Sequence, residues 1–594
     1  MIFGKHVNKY YFRHALVLLL GILALILVDY AQLVVPSVYK LVVNGVSDGY
    51  IIENGVNIPF DMEFLLSRIC MPLILVIVAM VIGRFLWRIC FFGVALKVEQ
   101  DIRLRMFDKA KDLPQSYYQK NKVGHMMSLF TNDIETIHEC FGSGILMLFD
   151  AVALGGLAIY KMAKMHGVLT LFSLIPMVFL LGIGTLVGGF MQKKWAERQE
   201  AFSQLSDFSQ ESFSGIAVIK AFVKEYKELS AFKKLNKHNE NANVTFTKTS
   251  SLLHILVTLF VESVICVILG YGGYLVYTDV FDAGQLIEFI GYFSAVVWPV
   301  MAVSQLIDMC ARGKASLGRV SELLDAENDI ETETSSRYEK PLCGKIEFRH
   351  LTFTHPGAEV PALEDLSFTI EAGERVGIIG KTGSGKTTVA DLLLRTYPIP
   401  RGMLYLDGTD INDISLYGVR SQISYVPQDT FLFSTTIAEN IAFALDHATP
   451  EEIENAAKLA DVHGNIMDFP EKYQTVLGER GVTVSGGQKQ RISIARALCK
   501  DAPILILDDA VSAVDTATER VILGNFYTTR RGKTTLMIAH RISTVAEADK
   551  IVFLDEGKVV AVGTHQELYQ TCDSYRRMVD LQKLEQEKGE HINA

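Results

Sequence analysis

The chain has 594 residues and a formal charge of −10, with 21% charged and 49% hydrophobic residues. That balance excludes a long disordered or low-complexity chain, and the acidic charge argues against a nucleic-acid binder, whose footprint is basic. The eight cysteines include no C-x-x-C pair, and Cys70, Cys90 and Cys266 sit in apolar runs, so neither a disulfide framework nor a zinc ribbon is expected.

Apolar residues concentrate before about residue 315. Runs at 15–35, 64–94, 142–160, 168–190, 252–277 and 287–307 are each of the order of the ~20 residues a membrane span needs. Six spans are therefore expected. The first follows Lys5, Lys9 and Arg13 but is too long for the apolar region of a signal peptide. Lys97, Arg103, Arg105, Lys109 and Lys111 follow the second run, whereas Asp48, Glu53 and Asp61 lie between the first two. The positive-inside rule places the N-terminus in the cytosol, and six spans return everything after the last run to it. The inner segments 97–135 and 192–250 are long and helical in pattern, and the outer segments 161–166 and 278–284 are short. Glycines 142, 155, 156, 182, 184, 188 and 189 are expected at close helix contacts. Asp29, Asp150, Glu262 and Asp308 are acids in or near apolar runs, and such groups mark candidate substrate contacts. Glu262 is the most central.

Residues 321–344, with their acidic centre at 326–340, read as a linker. Beyond them short apolar strands (RVGIIG, ISYVPQ, ILILDD, TTLMIAH and KIVFLDEG among them) alternate with helical patterns, the signature of an α/β domain with a largely parallel sheet. Gly380, Lys381, Thr382, Gly383, Ser384, Gly385, Lys386, Thr387 and Thr388 form G-x-x-x-x-G-K-[ST] between such a strand and a helix. The glycines turn backbone N–H groups towards phosphate oxygens, Lys386 reaches the β/γ-phosphates and the Thr387 hydroxyl suits Mg²⁺. The apolar run 504–507 ends in Asp508, a second Mg²⁺ ligand.

Between these lies Val484, Ser485, Gly486, Gly487 and Gln488 at a helix start. In that position it resembles the signature motif of ATP-binding-cassette (ABC) ATPases. Gln428 after Tyr425-Val-Pro looks like the Q-loop, residues 475–481 (TVLGERG) the exporter X-loop, Asp515 the end of the D-loop and His540 the switch histidine. The resemblance covers essentially the whole chain and is to half-transporters of the type IV ABC exporters. It implies an α-helical six-span transmembrane domain followed by an α/β P-loop ATP-binding cassette domain. The corresponding boundaries are 1–320, a linker at 321–344, a nucleotide-binding domain at 345–582 and a polar tail at 583–594. Residues 118–133 and 211–225 resemble the family's coupling regions.

The resemblance also implies ATP and Mg²⁺ as cofactors. Two cassettes pair head to tail, so that Val484 to Gln488 face a γ-phosphate on the partner's P-loop. His540 contacts the γ-phosphate at its own P-loop, Gln428 joins Mg²⁺ to the coupling helices, and Thr387 and Asp508 complete the metal set. Two departures stand out. His355 occupies the place of the usual adenine-stacking tyrosine, which predicts weaker nucleotide binding unless another ring, such as Phe353, compensates. Asp509 replaces the glutamate that polarises the attacking water and is shorter by one methylene, about 1.3 Å.

Asp509 resembles the degenerate site of one subunit in a heterodimeric bacterial exporter, whose partner would carry the glutamate. A slow homodimer, an importer built on the exporter fold and an ATP-gated regulator remain open. The expected substrate is an amphipathic small molecule, a drug or lipid, moved across the bacterial plasma membrane, with the bilayer itself and no nucleic acid as partner. Coupled peptide processing is not expected, since no peptidase-like segment stands before the first span.

Overall fold

A computed structural model describes residues 3–53, 56–329, 340–478 and 484–593. The chain divides into two units, Met1–Lys111 with Val123–Ala326, and Asp112–Lys122 with Glu327–Ala594.

The first unit is helical. Its main helices are α1 (Ala15–Gln32), α2 (Val35–Asp48), α3 (Met71–Asp112), α4 (Ser143–Met165), α5 (Gly167–Ser214), α6 (Glu225–Tyr277) and α7 (Ala283–Asp325). Among the described residues five helical stretches are long and apolar enough to cross a membrane: Ala15–Asp48, Met62–Asp112, Val123–Met165, Glu225–Tyr277 and Ala283–Asp325. The remaining expected span, 168–190, lies in α5. Its apolar start Gly167–Met177 is helical, and the side chains of 178, 180, 181 and 183–188 lie outside the described residues. The 48 residues of α5 and 53 of α6 give lengths of about 72 and 80 Å at ~1.5 Å per residue, far more than a ~30 Å hydrocarbon core. The helices thus run well past the apolar segments, as the long inner patterns predict, and they pack along each other.

The glycine expectation holds in part. A Cβ on Gly155 would stand 3.2 Å from Pro299 Cβ, so α4 and α7 approach closely there, and one on Gly142 would meet the Phe92 ring at 2.8 Å. Gly156 and Gly189 face open space instead. The segment between the first two spans folds into an antiparallel hairpin, β1 (Tyr50–Glu53) with β2 (Val56–Pro59), which the charge pattern did not signal. Near the N-terminus His6 is buried between Asp325, 3.1 Å from its Nε2, and Arg105, 3.1 Å from its Nδ1.

The second unit is α/β. The strands are β3 (Ile346–Phe353), β4 (Leu363–Ile370), β5 (Arg375–Gly380), β6 (Leu404–Leu406), β7 (Thr409–Asp410), β8 (Ile423–Val426), β9 (Ile504–Asp508), β10 (Thr534–Ala539), β11 (Lys550–Asp555) and β12 (Lys558–Gly563). They form a six-stranded sheet, β12-β11-β5-β10-β9-β8, and a four-stranded antiparallel sheet, β4-β3-β6-β7. In the larger sheet all neighbours are parallel except β11 and β12. The parallel strands read as unbroken apolar runs because both faces are covered. Ile504 and Ile506 enter one cluster with Ile378, Leu536 and Ile538, and Leu505 and Leu507 enter the other with Ile379 and Met537. Four further helices frame the site: α8 (Lys386–Leu393), α9 (Gly486–Lys500), α10 (Thr516–Thr529) and α11 (Asp573–Asn593). The short helix Gln115–Lys120 also belongs here, since Gln119 Nε2 donates to Tyr397 OH at 2.6 Å and Ser116 Oγ to Asp329 Oδ2 at 2.7 Å.

Ile506 is fully buried in the middle of β9. Ile506→Ala should destabilise this unit by ~2–5 kcal/mol through lost transfer energy and a cavity, read as a downward shift of its calorimetric transition.

Candidate functional site

The site follows from strand register. β10 pairs with β5 on one side, Ala539 opposite Ile379, and with β9 on the other, Ile538 opposite Asp508. The carboxyl ends of three strands therefore finish at one level. Gly380, Asp508 and His540 leave from that edge, where ligands bind in open α/β sheets.

β5 passes into the glycine loop and then α8. Gly383 and Gly385 have φ of +83° and +89°. A Cβ on Gly385 would lie 2.6 Å from Ala362 O, and one on Gly380 only 2.1 Å from Leu554 O. Thr382 and Gly383 are exposed at the tip, and Ser384 is buried with its hydroxyl unpartnered. The buried Lys386 Nζ donates to Gly380 O at 2.9 Å and Lys381 O at 2.8 Å, and Lys381 itself pairs with Asp555 at 3.3 Å. Burial holds the Lys386 pKa below its ordinary value, against the pull of Asp508 and Asp509.

The Thr387 hydroxyl donates to Asp508 Oδ1 at 3.4 Å, and the buried Asp508 Oδ2 has no partner. Burial pushes the Asp508 carboxyl up to about 6, against the Thr387 hydrogen bond and with the neighbouring Asp509 raising it further. Below it Asp391 is likewise raised to about 6, by burial and then by Asp508. A hydroxyl and a buried, under-satisfied carboxylate are the hard oxygen donors Mg²⁺ takes with water and phosphate oxygens, so these residues fit the ion. Gln428, past the end of β8, is exposed.

Asp509 has a positive φ of +50°, a conformation in which Asp is enriched. Its N–H donates to Ile538 O at 2.8 Å. Burial, then Lys386, hold the His540 imidazole below its usual pKa, with Asp509 opposing.

The signature residues lie elsewhere. Ser485 caps α9 in a capping box, Gln488 N–H donating to Ser485 Oγ at 3.3 Å and Ser485 N–H to Gln488 Oε1 at 2.9 Å. α9 packs against β8 and the helices Ile437–Ala442 and Pro450–Leu459, whereas α8 packs against β5 and β9. Val484 is buried, Gly486 faces open space, and a Cβ on Gly487 would lie 3.0 Å from Ala513 O. Asp515 caps α10, accepting from the Ala517 and Thr518 N–H groups, and these bonds hold its carboxyl below the usual range. Thr475 pairs with Ile437, while Glu479 to Gly481 of the expected X-loop lie outside the described residues.

At the adenine end His355 Nε2 lies 3.2 Å from Thr388 Oγ1. Phe353 is 8% exposed, within the core, so the ring expected as a substitute stack offers no free face. Tyr397 was not foreseen. Its ring stands edge-on to His355 at 5.1 Å, and its hydroxyl takes the Gln119 hydrogen bond. Gln490 was also missed. Its buried amide donates to Asp509 O at 3.3 Å and to Ser512 Oγ at 3.1 Å and accepts from Ala513 N–H at 2.9 Å. Nothing in the local string distinguishes these two side chains from ordinary solvated or core residues.

In the helical unit a cavity of about 410 Å³ is lined by Asp29, Arg84, Trp87, Arg88, Asp150 and Trp298, among apolar neighbours. Asp29 is 2% exposed with Oδ2 unpartnered, and Trp298 Nε1 donates to Asp150 Oδ2 at 2.7 Å. Glu262 is exposed on α6, away from that lining, and Asp308 pairs with Arg312 at 3.1 Å.

A glycine cradle, a lysine and two metal-type oxygens at the edge of a parallel sheet, in a chain whose other unit is built of long apolar helices, define a membrane-embedded nucleotide-driven machine. Residues 18–300 match the family profile "ABC transporter transmembrane region" and residues 363–512 the profile "ABC transporter". A probable multidrug resistance ABC transporter ATP-binding/permease protein, YheI of Bacillus subtilis, is 36% identical over 98% of this chain and 97% of its own. The multidrug resistance-like ATP-binding protein MdlA of Escherichia coli is 33% identical over 97% and 96%. A solved bacterial Atm1-family ABC exporter with ATP bound superposes with a TM-score of 0.76 at 25% identity, covering 97% of this chain and 99% of that one. The chain belongs to the ABC exporter family. It is an integral membrane protein with a nucleotide-binding domain, an ATPase-coupled transporter.

Two outcomes follow for the loop and its metal oxygens. Gly385→Ala should reduce nucleotide affinity at least tenfold, because the added Cβ meets a carbonyl and the backbone is left-handed, measured by equilibrium titration. The Asp508 carboxylate must be charged to hold a cation, and its raised value places that transition near pH 6. The Mg²⁺ dependence of nucleotide binding should therefore weaken as pH falls through 6, by about tenfold per unit below it.

Proposed function

We propose that this chain is one half of a heterodimeric exporter of amphipathic small molecules, and that the ATP site on its own P-loop is degenerate. The observation that carries the reading is Asp509, directly after Asp508 at the end of β9. A carboxylate displaced by ~1 Å at a reacting centre loses about 10²-fold in rate. Nucleotide binding does not depend on that residue. Lys386 and the loop amides would hold phosphate oxygens, Thr387 and Asp508 with Gln428 would hold Mg²⁺, and His355 would stack on the base. Lys381, Ser384 and Thr388 complete the cradle. His540 would donate a hydrogen bond to the terminal phosphate. Bound Mg²⁺ neutralises phosphate charge.

Ser485, Gly486, Gly487 and Gln488, presented on α9 and packed away from α8 and β5, serve the partner's nucleotide, with Val484 anchoring the turn. Asp515 holds the adjoining loop. The open space over Gly486 supports this, since the amide is free to face a second chain. Closing two such cassettes favours one state of the spans over the other, which is how a ligand with differential affinity drives alternating access. The cytosol holds the N-terminus and the cassette, and the membrane is the bacterial plasma membrane. The mixed lining of the helical cavity (two acids, two arginines, two tryptophans and apolar walls) suits molecules with both a polar and an apolar face. The names of the relatives, with their reference to multidrug resistance, support the same class.

The test is an asymmetry. The chain alone should bind ATP and hydrolyse it poorly. In the reconstituted pair Asp509→Ala should change turnover only modestly, whereas changing the partner's equivalent glutamate to glutamine should reduce it by about 10²-fold or more. Ordinary turnover by the purified chain, abolished by Asp509→Ala, would replace the heterodimer with a homodimer. A Gly486→Asp variant should nearly abolish turnover of the pair, because a carboxylate then faces the partner's phosphate. Full activity in that variant means this signature does not cap the working site.

A further inference from the structure

The turn after β10 is held from outside the nucleotide site by one side chain. Gln582 Nε2 donates to His540 O at 2.7 Å, and Ile542 N–H donates to Gln582 Oε1 at 2.8 Å. Both halves of one amide are thus spent on the same turn, either side of Arg541. The helix carrying it is fixed. Tyr575 is fully buried and Val579 is 2% exposed in the cassette core, with Tyr575 edge-on to Phe553 and its hydroxyl 2.8 Å from His565 Nδ1. Positions 575, 579 and 582 lie four and three residues apart, so they share one face of α11. On the other side Thr544 Oγ1 donates to Glu519 Oε1 at 2.6 Å, and Arg541 Nη2 donates to Ser512 O at 3.4 Å.

We propose that Gln582 is a positioning residue for His540, clamping the backbone of the switch turn so that the imidazole is presented to a terminal phosphate in one orientation. Only an amide of this length serves both groups. Glutamate keeps the acceptor for Ile542 N–H but sets an oxygen against the His540 carbonyl, and asparagine falls short by a methylene. Orientation matters because a hydrogen bond from the imidazole N–H to a phosphate oxygen is directional. The clamp therefore sets how well this chain's site tells a nucleoside triphosphate from a diphosphate. The proposal rests on the reading of His540 as a phosphate contact.

The experiment uses the full chain in lipid nanodiscs and reads binding, so the slow chemistry at this site does not enter. Affinities for the Mg²⁺ complexes of ADP and of a non-hydrolysable ATP analogue are measured for the native chain, Gln582→Ala, Gln582→Glu, His540→Ala and the double variant. Amide exchange is followed at Ile542. Gln582→Ala should speed exchange at Ile542 and reduce triphosphate preference about tenfold, the scale of one hydrogen bond to a charged group, with ADP affinity within twofold of native. Gln582→Glu should retain protection at Ile542 yet lose the preference, which keeps the test open if the alanine variant folds poorly. In the His540→Ala background Gln582→Ala should add nothing. Equal weakening of both nucleotides, or an undiminished effect without His540, would mean a merely structural role and overturn the proposal. If His540→Ala leaves the preference intact, the phosphate-contact reading fails and takes the proposal with it. If His540→Ala lowers the preference and Gln582→Ala does not, the clamp alone is wrong.

Discussion

The pairing of β10 between β5 and β9 is the constraint on which the cassette depends. Parallel neighbours in fixed register bring three chain segments to one sheet edge, β5 from more than a hundred residues before the other two, with β10 lying between β5 and β9. The glycine loop, Asp508 and His540 meet at that edge because the strands that carry them are neighbours. A slip of one residue would reverse the faces of β9, exchanging Ile504 and Ile506 with Leu505 and Leu507, so the two hydrophobic layers hold the chemistry in register as well as the fold.

The same burial that fixes the strands charges the site with tension. Asp508, Asp391 and Lys386 all shift towards their neutral forms, chiefly through loss of water. Three groups held away from their preferred ionisation within one small region are a surface prepared for highly charged company, where a cation and phosphates relieve what burial imposes.

Much of this was legible in the sequence, because it is local. A glycine loop between a strand and a helix, and an apolar run ending in Asp508, are strings whose geometry follows from their own residues. The long inner helices were visible for the same reason, as periodic polar segments continuing the apolar runs. What the sequence hid is tertiary. Phe353 reads as an available ring, yet it alternates inward on β3, and Tyr397 comes from beyond α8. Gln490 and Gln582 are polar residues on amphipathic helices whose partners lie in distant turns. Position along a run and facing are separate facts: Glu262 is central in its run and exposed, whereas Asp29 is buried beside a cavity. Linear position within a span says nothing about which face a side chain occupies.

The buried amide of Gln490 has a consequence of its own. It sits on the signature helix and holds both the carbonyl of Asp509 and the loop leading to Asp515. One side chain therefore joins the end of β9, beside the glycine loop, to the helix that Ser485 caps. Any shift of the Asp509 backbone is therefore passed to α9 and to the loop before Asp515. On the proposed heterodimer reading, a slow site wired in this way would act as a timer for a fast one, which would give a reason for its binding residues to outlast its chemistry.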